Sequence, residues 1–164
     1  MPLDCLVHLP DHLITRAPDP AALCGALCSG SAALMAVRAA QIHAQSVVVV
    51  VGIGGAIGHY AGMIAKKVIG ARVIGVDVEA KVAIMKGGDC SEYADILLPV
   101  PAEEAGVESW SVFIRTLVET CTQLRPDKAT RRAADAVIVA ASSASGFRRL
   151  EDYVRDGGWI VCSG

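Results

Sequence analysis

The stretch from Val47 to Gly58 constrains this chain most. It holds five consecutive valines followed by Gly52-Ile53-Gly54-Gly55-Ala56-Ile57-Gly58. Five β-branched residues in a row favour a strand, and the lack of polar alternation requires both of its faces to be buried. Such a strand belongs in a parallel sheet covered by helices. The early glycines allow a tight turn with positive φ, and the middle ones let the backbone approach a pyrophosphate with no Cβ in the way. Gly58 lets the next helix pack close to the strand, and the free N–H groups at that helix start face an anion. The spacing is G-x-x-G-x-x-G over Gly52, Gly55 and Gly58, one residue longer than G-x-G-x-x-G, which would need glycine at Ile57.

A second element strengthens the reading. Asp77 ends the run Arg72-Val73-Ile74-Gly75-Val76. A carboxylate there accepts hydrogen bonds from the adenosine ribose hydroxyls and repels a 2′-phosphate, which favours NAD over NADP. Val78 and Glu79 follow it, with no arginine for such a phosphate. The competing role is a cap on the helix near residue 79. The helix terminus alone contributes about 0.3–1 kcal/mol, whereas micromolar binding needs roughly 8 kcal/mol. The loop therefore positions a dinucleotide, and contacts along the whole ligand supply the affinity.

The remaining pattern alternates. Two short helices, 19–27 and 31–42, are expected to break at Gly30. The valine strand leads to a helix over 58–68, a strand Ala71–Val76 and a helix Glu79–Lys86. A short strand Ile96–Leu98 is bounded by Pro99 and Pro101, which cannot donate to a ladder. A helix over 108–124, a strand Ala136–Ala140, a helix over 147–154 and a strand Trp159–Cys162 follow, with Gly157-Gly158 as the turn before the last. This order predicts an α/β, Rossmann-type doubly wound parallel sheet with helices on both faces. Residues 1–20, with prolines at 2, 10, 18 and 20, read as a connecting segment, and 21–164 as the NAD-binding domain. Ala141 and Ser142, with Ser143 and Ser145, follow the fourth strand at the carboxyl edge where ligands bind in such sheets. Ala141 and Ser142 join the expected coenzyme contacts; capping or loop roles are the alternative for the serines.

Composition excludes other classes. The net charge is −2 with no long basic run, so no nucleic-acid footprint is expected. Ser46–Ala65 is long enough to span a bilayer and lacks charge apart from His59, but its five glycines fit a strand, turn and helix better than one continuous helix. No membrane partner is expected. Acidic Asp4 and the absence of a basic start argue against a signal peptide. The six cysteines form no C-x-x-C pair, so reduced, buried thiols and a cytoplasmic setting are expected.

The segments Gly54-Gly55-Ala56-Ile57-Gly58-His59, Ala65-Lys66 and Arg72–Asp77 resemble the coenzyme-binding segment of the zinc-dependent medium-chain alcohol dehydrogenases. Leu9-Pro10-Asp11-His12-Leu13 is similar to the stretch that leads into that family's coenzyme domain, Leu27-Cys28-Ser29-Gly30 to its Leu-Cys-Ala-Gly motif, and Tyr153–Gly164 to its late strand segment. The resemblance implies hydride transfer between NAD and an alcohol or aldehyde in a complete protein. It implies Gly52, Gly54, Gly55, Ala56, Ile57, Gly58, Asp77 and Lys81 as coenzyme contacts, Lys81 reaching the adenosine ribose, and Cys28 as a zinc ligand. There are departures. None of the four histidines precedes a glutamate, the four-cysteine structural zinc lobe is absent, and Ala32 stands where the family has threonine. An inactive fragment holding the coenzyme domain alone is therefore expected, with an orphaned Cys28, zinc only in a full-length relative, no catalytic residue in this chain, and self-association through 21–35 or the last strand. A Cys24/Cys28 pair with His8 or His12 could ligate zinc; two small buried thiols are the blander reading. Cys5, His8 and His12 share a chance spacing. The competing functions are a non-catalytic dinucleotide-binding module and a zinc-free quinone or enoyl reductase of the same superfamily.

Overall fold

A computed structural model describes residues 8–16, 19, 21–126 and 132–163. The valine run forms β1 (Val47–Val51), with no residue more than 4% exposed. Val47, Val49 and Val51 point to one face, Val48 and Val50 to the other, and each face meets its own apolar layer. Burying one such valine is worth about 1.5–3 kcal/mol, so this strand is the centre of the fold.

β2 (Arg72–Val78) and β4 (Ala134–Val139) flank β1 in parallel register, Val51 lying opposite both Val76 and Val139. β3 (Ile96–Val100) pairs with β2, and β5 (Val154–Cys162) with β4. The order is β3-β2-β1-β4-β5, all parallel. α1 (Asp11–Arg16) is an exposed turn and a half of helix. α2 (Ala22–Gly25) runs through a π-helical stretch, Ala26–Gly30, into α3 (Ser31–Ala39). α4 (Ala56–Met63) is prolonged by a second π-helical stretch, Ile64–Ile69, and ends on left-handed Gly70. α3, α4 and α5 (Glu79–Lys86) bury Ala33, Ala36, Val37, Ala61, Ala65 and Val82 on the Val48/Val50 face. α6 (Val107–Leu124) covers the other face with Trp110, Phe113, Leu117 and Cys121. The chain thus changes face between β3 and β4, which opens a crevice between the carboxyl ends of β1 and β4.

Several local expectations need correction. Gly30 does not break the helix: its φ of −67° is helical, and the chain passes straight through it. Pro99 lies inside β3, opposite Asp77, because β3 has a single neighbour and an edge strand tolerates a missing donor. The helix expected over 147–154 is replaced by two 3₁₀ turns, Ala144–Phe147 and Leu150–Asp152. Gly157-Gly158 is not a turn before β5 but a bulge within it. Ala134 pairs with Val154 and Ala136 with Trp159, and Gly157 takes up the slack at φ +70°.

Candidate functional site

The loop after β1 is built from both ends of the fold. Gly52 adopts φ +83°, and a Cβ there would lie 2.9 Å from the Ala140 carbonyl carbon and the Ala141 nitrogen. The loop therefore presses against the end of β4, where Ala140 N–H donates to the Val51 carbonyl. Gly58 is tighter still. A Cβ would sit 2.1 Å from the Gly52 carbonyl oxygen, so only glycine lets α4 start this close to β1. Gly54 N–H donates to Asp77 Oδ2 at 2.8 Å, and a Cβ on Gly54 would lie 3.0 Å from that oxygen. Gly54 thus makes room for the aspartate at the end of β2. Ile53 points inward, fully buried. Gly62 in α4 and Gly75 in β2 leave it space, since a Cβ at either would approach it to 2.9 Å. Sequence reasoning missed this plug; its signal was a glycine in mid-strand beside an apolar residue in a glycine loop.

α4 opens at Gly55 with extended backbone and no capping side chain. Gly55 N–H donates back to Gly52, and His59 N–H donates to the Gly55 carbonyl. By helix geometry the amides between them, on Ala56, Ile57 and Gly58, have no acceptor within α4 and point out of its amino end. A positive helix terminus with free donors is suited to a phosphate. The His59 ring lies against Tyr93, with 4.2 Å between centroids and the planes tilted by 47°.

Asp77 is 6% exposed. Its Oδ2 takes the Gly54 amide and its Oδ1 the Val78 amide at 2.8 Å, with Lys81 Nζ 3.7 Å from Oδ1. α5 begins at Glu79, and its N-cap residue, Val78, makes no side-chain capping bond; the Asp77 carboxylate reaches the amide of Val78 itself. A cavity of about 370 Å³ opens beside it, bounded by Val78, Glu79, Val100, Pro101, Glu103 and Ser145. Its walls are largely apolar, and two carboxylates stand at its edge. Ala141 is half-buried against Gly146, and Ser142 is exposed at the carboxyl edge. Ser143 and Ser145 share a hydroxyl hydrogen bond at 2.9 Å. The structure therefore gathers Gly52, Gly54, Gly55, Ala56, Ile57, Gly58, Asp77, Lys81, Ala141 and Ser142 along one edge of the sheet.

Cys28 lies apart from them, exposed in the π-helical stretch. Cys24 is exposed as well, so the pair is not the buried couple expected. The face of this helix that packs on α4 does not carry the thiols. Among the described residues no three His, Cys, Asp or Glu side chains could hold a metal ion, so the residues present do not fit a catalytic zinc. Cys5 lies outside the described residues. No described helix is long and apolar enough to cross a membrane.

At the opposite, amino edge, Asp135 takes hydrogen bonds from the Val47 amide, Arg125 and Arg155. Burial works to raise its pKa, but these bonds outweigh it and hold the carboxyl below its ordinary value. A second cavity of about 290 Å³ sits there, away from the glycine loop.

No family model matches the chain. It is 28% identical over 163 residues to alcohol dehydrogenase 2 of Emericella nidulans, covering 99% of this chain and 40% of the relative. An alcohol dehydrogenase from Thermotoga maritima superposes with a TM-score of 0.65 at 23% identity, over 88% of this chain and 35% of that one. A mycobacterial protein in complex with NADPH gives 0.69 at 18% identity, over 96% and 41%. The chain spans about 40% of the length of its curated relative. Over nearly its whole length the chain is similar in sequence to part of an alcohol dehydrogenase, and its five-stranded parallel sheet has the α/β, Rossmann-like fold of the solved dehydrogenases.

Proposed function

We propose that residues 21–164 form the coenzyme domain of an NAD-dependent, cytoplasmic, alcohol dehydrogenase-like oxidoreductase, residues 1–20 leading into it. The single observation that carries this is the placement of Asp77 against the glycine loop, beside the uncapped start of α4. The amides of Ala56, Ile57 and Gly58 would hold the pyrophosphate, and Asp77 with Lys81 the adenosine ribose. The cavity between Val78 and Pro101 has apolar walls on which an adenine could lie. Ala141 and Ser142 would border the nicotinamide side. The coenzyme supplies hydride chemistry; these residues bind and orient it.

A 2′-phosphate would meet the carboxylates of Asp77 and Glu79, and the residues that directly follow Asp77 in the sequence, Val78 and Glu79, offer it no arginine, so NAD is favoured over NADP. The NADPH seen with the mycobacterial neighbour belongs to that protein. In a complete relative the reaction would be oxidation of an alcohol or reduction of an aldehyde; alone, this chain binds coenzyme and does not turn it over. The test is Asp77→Ala. NADH affinity should fall and the discrimination against NADPH should shrink, both read by enhancement of coenzyme fluorescence. A variant that keeps its full preference for NADH would overturn the assignment of Asp77. A purely binding role, as a nucleotide sensor, uses the same loop, and alcohol-dependent NADH production by the 164-residue chain would exclude both the sensor and the inactive-domain readings.

We also propose self-association, carried by the exposed Leu27 and Met35 on α2–α3 and by Trp159 and Ile160 on the edge strand β5.

A further inference from the structure

Arg148, in the connection between β4 and β5, has no part in the coenzyme contacts above. Its Nη1 donates to the Glu103 carbonyl oxygen at 2.8 Å, and its guanidinium lies 5.0 Å from the centre of the Trp110 ring. Trp110 is 1% exposed and meets Phe113 edge-on at 6.0 Å, as Phe113 meets Tyr153 at 5.7 Å. Arg148 is thus the outermost member of a stack rooted in the core beneath α6.

The local chain is shaped to deliver it there. Gly146 N–H donates to Ser143, and Arg148 N–H to the Ser145 carbonyl. Arg149 takes the left-handed conformation, φ +57°, which is uncommon for a non-glycine residue, and its side chain is tied to Asp152 at 2.6 Å. Gly146 packs against the end of β4, where a Cβ would sit 2.4 Å from Ala141 Cβ.

Glu103 and Ser145 are two walls of the cavity beside Asp77. They come from the β3–α6 and β4–β5 connections, more than forty residues apart, and Arg148 bonds one connection to the other. Connections of this kind are otherwise the mobile parts of a domain, and a ligand that must order them binds more weakly.

We propose that Arg148 is a positioning residue for the adenosine half of the coenzyme. Straddling Trp110 and Glu103, it fixes the β4–β5 connection against the β3–α6 connection before ligand arrives. The inference rests on the coenzyme reading given above. A lysine keeps the charge but not the planar fork that can lie on an indole and donate sideways at once.

The experiment measures AMP and NADH affinity of the 164-residue chain with and without Arg148→Ala, together with hydrogen exchange at residues 143–149. R148A should weaken both ligands by about three- to tenfold. In ligand-free R148A the 143–149 amides should exchange faster than in the unsubstituted chain, and added AMP should slow them. Arg148→Lys should recover part of the affinity. Where R148A does not fold, Arg148→Met keeps an unbranched side chain of similar reach beside Trp110 and removes the charge and the donor, with the same expected direction. Unchanged AMP affinity and unchanged exchange would overturn this role while leaving the coenzyme site intact. If the unsubstituted chain itself binds neither AMP nor NADH, the coenzyme reading falls and this role falls with it.

Discussion

At Gly58 an added methyl group would sit 2.1 Å from a backbone oxygen, with no flexible side chain to yield. Gly58→Ala should therefore cost about 3 kcal/mol or more, the upper range for forcing a group into packed space. In a chain of this size that lowers the melting temperature by about 6–12 °C. A calorimetric scan of the variant that matches the parent would mean that α4 does not start where the structure puts it. Cys121 makes a contrasting case. Burial pushes its thiol up to about 12, so it should stay unlabelled by a thiol reagent in the native chain, while exposed Cys24, Cys28 and Cys162 react. Mass mapping after brief labelling checks this, and early modification of Cys121 would contradict the core arrangement. The uniform burial expected of the cysteines came from their residue type. Type says nothing about which side of α2–α3 faces a neighbour, so the exposure of Cys24 and Cys28 was not legible. Asp77 was legible as a residue near the carboxyl end of β2, although the strand runs on to Val78, but not as a partner of Gly54. That bond joins residues 23 apart, and no local pattern encodes it.

At the scale of elements, β1 and α5 were legible to the residue, because a pure valine run and a helix ending at paired glycines have few competing conformations. β3 was cut short at Pro99, since proline forbids a ladder donor but does not forbid an edge. The final segment was least legible. Its apolar spacing over 147–154 suits a helix, yet the bulge at Gly157 lets β5 begin at Val154 and takes the chain needed for one. The amino edge of β4 carries the pH dependence. Asp135 is held below its ordinary pKa by its three donors. Its contribution to stability is full above the unfolded carboxylate value of about 4 and is lost as pH falls through the lower folded value. Chemical denaturation of the parent and Asp135→Asn should differ most near neutrality and converge at acid pH. A difference that grew on acidification would place the carboxyl's pKa above, not below, its ordinary value.

On the scale of the whole molecule, the alternation of strands and helices made the parallel sheet legible. Helices on both faces were expected, but the place where the chain changes face was not, because it depends on the strand order; given that order, right-handed crossovers put the change between β3 and β4. The cavity beside Asp77 did not, because its walls come from three connections that meet only in the folded chain. Self-association belongs here too. In sedimentation velocity the average mass should exceed that of one chain and rise with concentration. A single monomeric boundary at high concentration would count against a sticky α2–α3 face and β5 edge. The most direct measurement of the central claim is a parallel titration of the 164-residue chain with NADH and with NADPH, followed by coenzyme fluorescence. Saturable binding of NADH, at least about tenfold tighter than NADPH (about 1.4 kcal/mol), is the expected result. Binding of neither, or of NADPH as tightly as NADH, would contradict the roles given to the glycine loop and Asp77.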